Sequence, residues 1–126
     1  MSGVFVLQSV ATGKVLDSNG AGNAYTLQHN GGNYQKWNVI QSGHGWANLQ
    51  NVATGRYLDS NGQGNLYTLP ANGGNYQKWR VEGLGNDIFK LTNIATGKVL
   101  DSNGAGDAYT LDNNGGNYQK FRFFRP

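Results

Sequence analysis

One long string of residues occurs three times in this chain, and this repetition limits the possible folds more than any other feature. The stretch VLDSNGAGNAYTLQHNGGNYQKW (Val15–Trp37) returns with few changes at Tyr57–Trp79 and at Val99–Phe121. The interval is 42 residues each time, so the 126-residue chain divides into three units at about 1–42, 43–84 and 85–126. Because the units fill the chain without a linker, we expect residues 1–126 to form a single domain.

Each unit has the pattern of four short strands separated by turns. Glycine makes up 20 of the 126 residues, more than twice the usual share of about 7%. Short apolar runs between Gly- and Asn-rich connections are typical of an all-β protein, and no segment has a sustained helical period. The strands predicted in the first unit are Phe5–Val10, Lys14–Ser18, Ala24–Gln28 and Gln35–Ile40.

Twelve strands in three equivalent units predict a β-trefoil with pseudo-three-fold symmetry. In this architecture a six-stranded barrel is closed at one end by three hairpins, which leaves few exposed strand edges. A period of 42 residues also fits a propeller blade, but propellers usually need four or more blades. A prism of three sheets is the remaining alternative.

One aromatic residue per unit follows the sequence Gln-Lys, namely Trp37, Trp79 and Phe121. We expect these three rings to fill the core around the axis, and we regard stacking on a ligand as the weaker interpretation. The tyrosines just before the Gln are expected to be partly buried packing residues; they are Tyr34, Tyr76 and Tyr118.

The Gln-x-aromatic sequence in every unit resembles the ricin-B-type (R-type) β-trefoil lectins, which are also grouped as carbohydrate-binding modules. The longer string LDSN…YTL…NGGNYQKW resembles a narrower group, the actinohivin-like lectins, which bind high-mannose glycans. The resemblance covers all three units. Two departures lie on the loops: Gly20 and its counterparts replace a bulky aromatic residue, and the sequence Pro-Ala-Asn after YTL survives only at Pro70–Asn72.

The resemblance implies one shallow sugar pocket in each unit, formed by an Asp, a Tyr and an Asn. The matching residues are Asp17, Tyr25, Asn30, Asp59, Tyr67, Asn72, Asp101, Tyr109 and Asn114. These residue types suit a neutral sugar: a carboxylate accepts hydroxyl protons, an amide both donates and accepts, and an aromatic ring covers a C–H face.

Structural roles for the same residues remain open at this point. Asp17 could cap its own turn in an Asx-turn, and Tyr25, which shares a strand face with Leu27, could be a half-buried packing residue. Asn19 and Asn33, next to glycines, are assigned to turns.

Several function classes are disfavoured by composition. The net charge is only +3 and the basic residues are spread along the chain, so we do not expect nucleic-acid binding. No repeated cluster of acids suits a metal ion or cofactor, and no pair of carboxylates recurs that could cleave a glycosidic bond. No signal peptide or membrane span is visible, so we expect a soluble protein, either cytoplasmic or secreted by another route, that is a monomer or a weak oligomer.

The sequence therefore predicts a lectin without enzymatic activity. The expected ligands are mannose-containing, high-mannose glycans with terminal α-1,2-mannose, bound at three sites without calcium. By resemblance, defence against glycan-bearing organisms or viruses is a plausible role. Two alternatives remain: a galactose-binding R-type lectin, and a structural or symmetrised trefoil scaffold that does not bind sugar.

Overall fold

A computed structural model describes all residues from 1 to 126. It contains twelve strands and three single-turn 3-10 helices, and none of these helices is long or apolar enough to cross a membrane. The strands are β1 Gly3–Ser9, β2 Val15–Ser18, β3 Ala24–Leu27, β4 Trp37–Gln41, β5 Ala47–Asn51, β6 Tyr57–Ser60, β7 Leu66–Leu69, β8 Trp79–Gly85, β9 Ile88–Asn93, β10 Val99–Ser102, β11 Ala108–Leu111 and β12 Phe121–Phe124. The helices are Asn33–Gln35, Asn75–Gln77 and Asn117–Gln119.

Six of the strands form a closed antiparallel barrel. β1 pairs with β4, β4 with β5, β5 with β8, β8 with β9, β9 with β12, and β12 again with β1. The other six strands form three hairpins, β2–β3, β6–β7 and β10–β11. The predicted β-trefoil is therefore confirmed, and the propeller and prism alternatives are wrong.

The predicted strand boundaries differ from the structure by one or two residues. The largest difference has a consequence for the site: Gln35, which was expected to open the fourth strand, ends a 3-10 helix, and the strand begins at Trp37. The turn forms because the Gln35 N–H donates to Gly32 O and the Lys36 N–H to Asn33 O, which rotates Gln35 into the interior. The prediction assumed that side chains alternate between the two faces of a strand, and this pattern does not include a helical turn.

The three large rings predicted for the core are fully buried. Trp37, Trp79 and Phe121 have no exposed surface and pack with leucines from all three repeats. Each Trp also donates its indole N–H to a backbone carbonyl, at 3.0 Å for Trp37 to Leu16. The core role is confirmed, and stacking of these rings on a ligand is excluded by their burial.

The three hairpins are joined to one another by a ring of backbone hydrogen bonds at the closed end of the barrel. Each bond runs from a Thr N–H in one repeat to a Gly carbonyl in another: Thr68 to Gly22 (2.8 Å), Thr110 to Gly64 (2.9 Å) and Thr26 to Gly106 (2.8 Å). Gly64 has a φ of +87°, and a Cβ built there would lie 2.6 Å from Thr110 O. Glycine is required at this position both by the backbone conformation and by the close approach of the next hairpin.

Replacing Gly64 by Ala should lower the free energy of unfolding by about 2–4 kcal/mol, because a left-handed conformation and a clash with backbone are both introduced. Gly62→Ala is the matched control in the same loop, since a Cβ there meets nothing within 4 Å and the backbone is not left-handed. Chemical denaturation of both variants measures the difference. Equal stabilities would contradict the proposed role of the close approach.

Candidate functional site

A buried glutamine amide organises the candidate site of each repeat. In the first repeat Gln35 Nε2 donates to Asp17 Oδ2 (2.8 Å) and to Gln28 O (2.9 Å), and its Oε1 accepts from the Asn30 N–H (2.8 Å). Gln77 and Gln119 make the same three bonds in their repeats, at 2.9–3.0 Å. One side chain thus fixes the carboxylate at the end of one strand and the loop that follows the next strand.

The three aspartates are almost completely buried, yet Asp59 and Asp101 line pockets that are open to solvent. Asp17 is 3% exposed, and its second oxygen, Oδ1, accepts from the Ser18 N–H at 2.7 Å. The turn is capped by a different residue: Asn19 Oδ1 accepts from the N–H groups of Ala21 and Asn23. The turn assignment of Asn19 is therefore confirmed, whereas the Asx-turn interpretation of Asp17 is wrong.

The predicted site tyrosines are half-buried and oriented by the backbone. Tyr25 donates its hydroxyl to Ser18 O at 3.1 Å, and Tyr67 and Tyr109 make the equivalent bonds at 2.9 Å. Burial raises the pKa of each phenol, and the nearby Asp carboxylate raises it further. The hydroxyl proton is thus retained and committed to the carbonyl, which leaves the phenol oxygen available as a hydrogen-bond acceptor.

The predicted Asp, Tyr and Asn of the second repeat line one cavity, and those of the third repeat line another. The cavity volume is about 300 Å³ in the second repeat and about 360 Å³ in the third. The second cavity is lined by Asp59, Ser60, Asn61, Tyr67, Leu69, Asn72, Gly74 and Tyr76, and the third by the equivalent residues 42 positions later. The structure therefore brings the predicted Asp, Tyr and Asn together in these repeats; their role as ligands to a sugar stays a prediction.

A second tyrosine in each repeat is more exposed than its sequence context predicts. Tyr34, Tyr76 and Tyr118 were expected to be partly buried packing residues, but each is 47% exposed, and the last two form a wall of the cavities. The single turn of 3-10 helix that buries each Gln directs the preceding Tyr outward. One feature of the sequence could have indicated a role in the site: this Tyr is repeated without change beside a polar loop, and a packing role alone does not require that.

The first repeat has the same hydrogen bonds around Asp17 but no enclosed cavity over it. Its concave surface is instead a groove of about 540 Å³ that runs from Gly20 and Tyr34 of the first repeat to Arg56 and Pro70 of the second. The three sites are therefore not equivalent in shape.

The third site also differs in the support of its exposed tyrosine. Asn51 Nδ2 donates to Tyr34 O, and Asn93 Nδ2 donates to Tyr76 O, both at 2.9 Å. The equivalent residue for the third site is Ser9, which is too short to make this bond. Tyr118 O instead accepts from the Ser102 hydroxyl at 3.4 Å. The third tyrosine is thus held by a longer contact than the other two.

Comparison with known proteins identifies the family. Residues 1–74, more than half of the chain, match the family described as ricin-type beta-trefoil lectin domain-like. The chain belongs to this family.

Three solved structures resemble this ricin-type domain over nearly its whole length. The designed three-fold symmetric protein ThreeFoil is 28% identical, with a TM-score of 0.89 over 98% of this chain and 99% of its own. The exo-β-1,3-galactanase 1,3Gal43A from Clostridium thermocellum is 26% identical, with a TM-score of 0.87; 96% of this chain matches 30% of the galactanase chain. SeviL, solved with the asialo-GM1 saccharide, is 18% identical over 99% of this chain and 98% of its own, with a TM-score of 0.84, and this similarity shows the fold alone.

Replacing Ser9 by Asn should restore the missing support of the third site. The new amide would donate to Tyr118 O as Asn51 and Asn93 do in their repeats, and one buried hydrogen bond contributes about 1 kcal/mol. Thermal unfolding measures the gain, with Ser9→Ala as the control that removes the hydroxyl without adding an amide. A lower melting temperature for Ser9→Asn than for the unmodified protein would contradict this account.

Proposed function

We propose that residues 1–126 form a single lectin domain with three sugar-binding pockets and no enzymatic activity. The proposed ligands are high-mannose glycans, bound through their terminal α-1,2-linked mannose residues. The observation that carries the proposal is the lining of the second and third cavities, where a carboxylate, a tyrosine and an amide surround a space open to solvent. The preference for mannose is supported by the repeated string LDSN…YTL…NGGNYQKW and its resemblance to the actinohivin-like lectins.

The chemistry of the cavity suits a neutral sugar. In the first and third repeats each Asp oxygen takes one hydrogen bond from the protein and keeps a lone pair for a sugar hydroxyl. Asn72 uses its Oδ1 to accept from the Gly74 N–H, and its amide Nδ2 makes no bond within the protein, so it is free to donate. Leu69 and Tyr76, which are 38% and 47% exposed, offer an apolar wall for the C–H face of the ring.

Binding without calcium is proposed because each pocket offers a calcium ion only one carboxylate, whose oxygens already accept hydrogen bonds from neutral donors. The Asp59 carboxylate accepts from Gln77 Nε2 and from the Ser60 N–H. A single carboxylate per pocket, held by an amide and a backbone N–H, offers a calcium ion few of the six to eight oxygen ligands that it prefers.

The proposed gain in affinity comes from three weak sites acting together. A pocket that contacts one sugar gives little binding energy, because its hydroxyls exchange water for protein at small net gain. Three sites on one domain can raise the overall affinity for a branched or clustered glycan by a factor of about 10² or more. Repetition of the polar residues is then a requirement of the ligand as well as of the fold.

Replacing Tyr34, Tyr76 and Tyr118 together by Ala should abolish glycan binding with little change in stability. These rings are exposed and their hydroxyls make no hydrogen bond within the protein, so their removal takes away the pocket wall without opening the core. The measurement is binding to a high-mannose glycoprotein by calorimetry in the presence of a chelator, together with a thermal melt. Val52→Ala, another exposed apolar residue outside the pockets, is the control.

Binding measurements with other glycans separate the high-mannose proposal from its two alternatives. Binding by the unmodified protein to galactosides in place of mannosides would transfer the proposal to the galactose-binding branch. Absence of binding to either class on a glycan array would leave the symmetrised scaffold. Retention of high-mannose binding by the triple Tyr variant would show that the pockets are elsewhere.

Sugar binding at the second pocket should weaken as the pH is lowered. The loss should begin at a higher pH than the pKa of a free aspartate would predict. Burial raises the pKa of Asp59 above its ordinary value of 3.8, against the opposing effect of the Gln77 and Ser60 donors. Protonation removes the acceptor for sugar hydroxyls, so binding is lost as the pH falls through the raised pKa. Because a raised pKa in the folded state favours the protonated fold, this group does not destabilise the protein over the same range.

The measurement is a pH titration of the Asp59 carboxyl by carbon-detected NMR, with and without α-1,2-mannobiose. A pKa at or below 3.8 without the sugar would contradict the prediction. A pKa that the sugar does not lower would show that the carboxylate is not an acceptor for it.

A further inference from the structure

The groove beside Arg56 is a concave surface that the three repeats do not share. Position 56 corresponds to Lys14 in the first repeat and Lys98 in the third. Lys14 Nζ donates to Gly104 O at 3.1 Å, and Lys98 Nζ donates to Gly62 O at 2.9 Å, so each lysine reaches across to the glycine loop of another repeat. No groove opens beside either lysine.

Arg56 turns in a different direction. Its Nε and Nη2 donate to Thr68 O at 3.4 and 3.2 Å, and it makes no bond to Gly20, the residue equivalent to Gly62 and Gly104. The space that a lysine bridges in the other two repeats is therefore open, with a volume of about 540 Å³. Two differences line this groove: Arg replaces Lys at position 56, and Pro70 and Ala71 stand where the first repeat has Gln28 and His29 and the third has Asp112 and Asn113.

The guanidinium in the groove has no acidic partner. The only salt bridge of the protein joins Lys90 and Glu82, and no Asp or Glu lines the groove. A guanidinium has five N–H donors, and those not directed at Thr68 O stay available to a ligand. Tyr34 on one side and Pro70 and Ala71 on the other provide walls that can pack against a sugar ring.

The groove is continuous with the first candidate site. Tyr34 lies in the groove, and its counterparts Tyr76 and Tyr118 form walls of the other two pockets. Arg56 Nη2 lies 3.0 Å from the position of a Cβ on Gly22, at the end of the turn that Asn19 caps beside Asp17. Tyr34 and the turn that ends at Gly22 therefore connect the first candidate site with Arg56, and a glycan held over Asp17 can extend along them into the groove.

We propose that this groove is a subsite for an anionic sugar unit, one that bears a carboxylate or a sulfate, next to the sugar in the first pocket. The inference rests on the proposed function, because it needs a sugar at Asp17. Charge-assisted hydrogen bonds from a planar guanidinium favour such groups over a neutral hydroxyl. The second and third pockets, whose lysines bridge the loops, lack this subsite and do not discriminate in the same way.

The test isolates the first pocket and compares matched ligands. In the variant Asp59→Asn/Asp101→Asn, calorimetry measures binding of α-1,2-mannobiose and of the same disaccharide carrying a 6-carboxylate or a 6-sulfate on the unit outside the pocket. We expect the anionic forms to bind about fivefold more tightly, a gain typical of a partly exposed ion pair, and we expect added salt to reduce it. The form with the larger gain identifies the anionic group.

Two changes at position 56 separate the groove from a general effect of charge. Arg56→Gln removes the charge, and Arg56→Lys keeps it but allows the bridge to Gly20 O that closes the groove in the other repeats; both should abolish the gain. Arg80→Lys on an exposed strand position is the matched control and should retain it. Retention of the gain by Arg56→Lys would overturn the proposal, since charge alone would then suffice.

Failure of this inference is distinguishable from failure of the proposed function. Equal binding of the neutral and anionic disaccharides overturns the subsite and leaves the lectin proposal intact. Absence of binding by all of them, while the variant is folded, overturns the first pocket and the subsite with it.

Discussion

The buried amide of Gln35 and its two counterparts is the interaction on which each candidate site depends. An amide that donates to a carboxylate and accepts from a backbone N–H can be placed in the interior at low cost only if all its bonds are made, and here they are. The same bonds hold a nearly buried Asp at the floor of an open cavity. Fold and site are thus connected through one side chain in each repeat, and a change at the Gln would affect both.

The three repeats are not exactly symmetric, because some equivalent positions in the core and at the contacts between repeats carry different residues. The third repeat has Phe121 where the others have Trp, and Phe123 occupies the position of the smaller Val39 and Val81. Phe123 packs in the core against the rings of Phe5 and Phe89, so the third repeat adds a second ring where its first ring is smaller. The side chains that hydrogen-bond to the carbonyls of Tyr34 and Tyr76 come from the next repeat. The first repeat has Ser9 where the others have Asn, and this one difference affects the site at Tyr118, which lies far away in the sequence. The three sites are therefore unequal although the backbone repeats.

Much of this fold could be predicted from the sequence, because a repeat that keeps its register over 126 residues permits few closed arrangements. The burial of Trp37 and the turn at Asn19 also followed from local chemistry. The orientation of Tyr34 did not, since it depends on a single turn of 3-10 helix between two strands, and alternation along a strand gives the opposite face. The groove at Arg56 could not be foreseen either: Arg and Lys are both long cations, and the sequence does not show that Arg56 bonds to Thr68 O whereas Lys14 and Lys98 each bridge to a glycine loop of another repeat.

The ring of Thr-to-Gly hydrogen bonds at the closed end has a direction, since every hairpin donates to one neighbour and accepts from the other. Such a ring closes with three members and leaves an unused donor and an unused acceptor with one or two. A 42-residue unit therefore carries, in its own backbone, the complementary ends needed for assembly with further copies of itself. A covalent chain of three units satisfies them internally, and the same geometry would allow a gene encoding one unit to build the fold as a homotrimer.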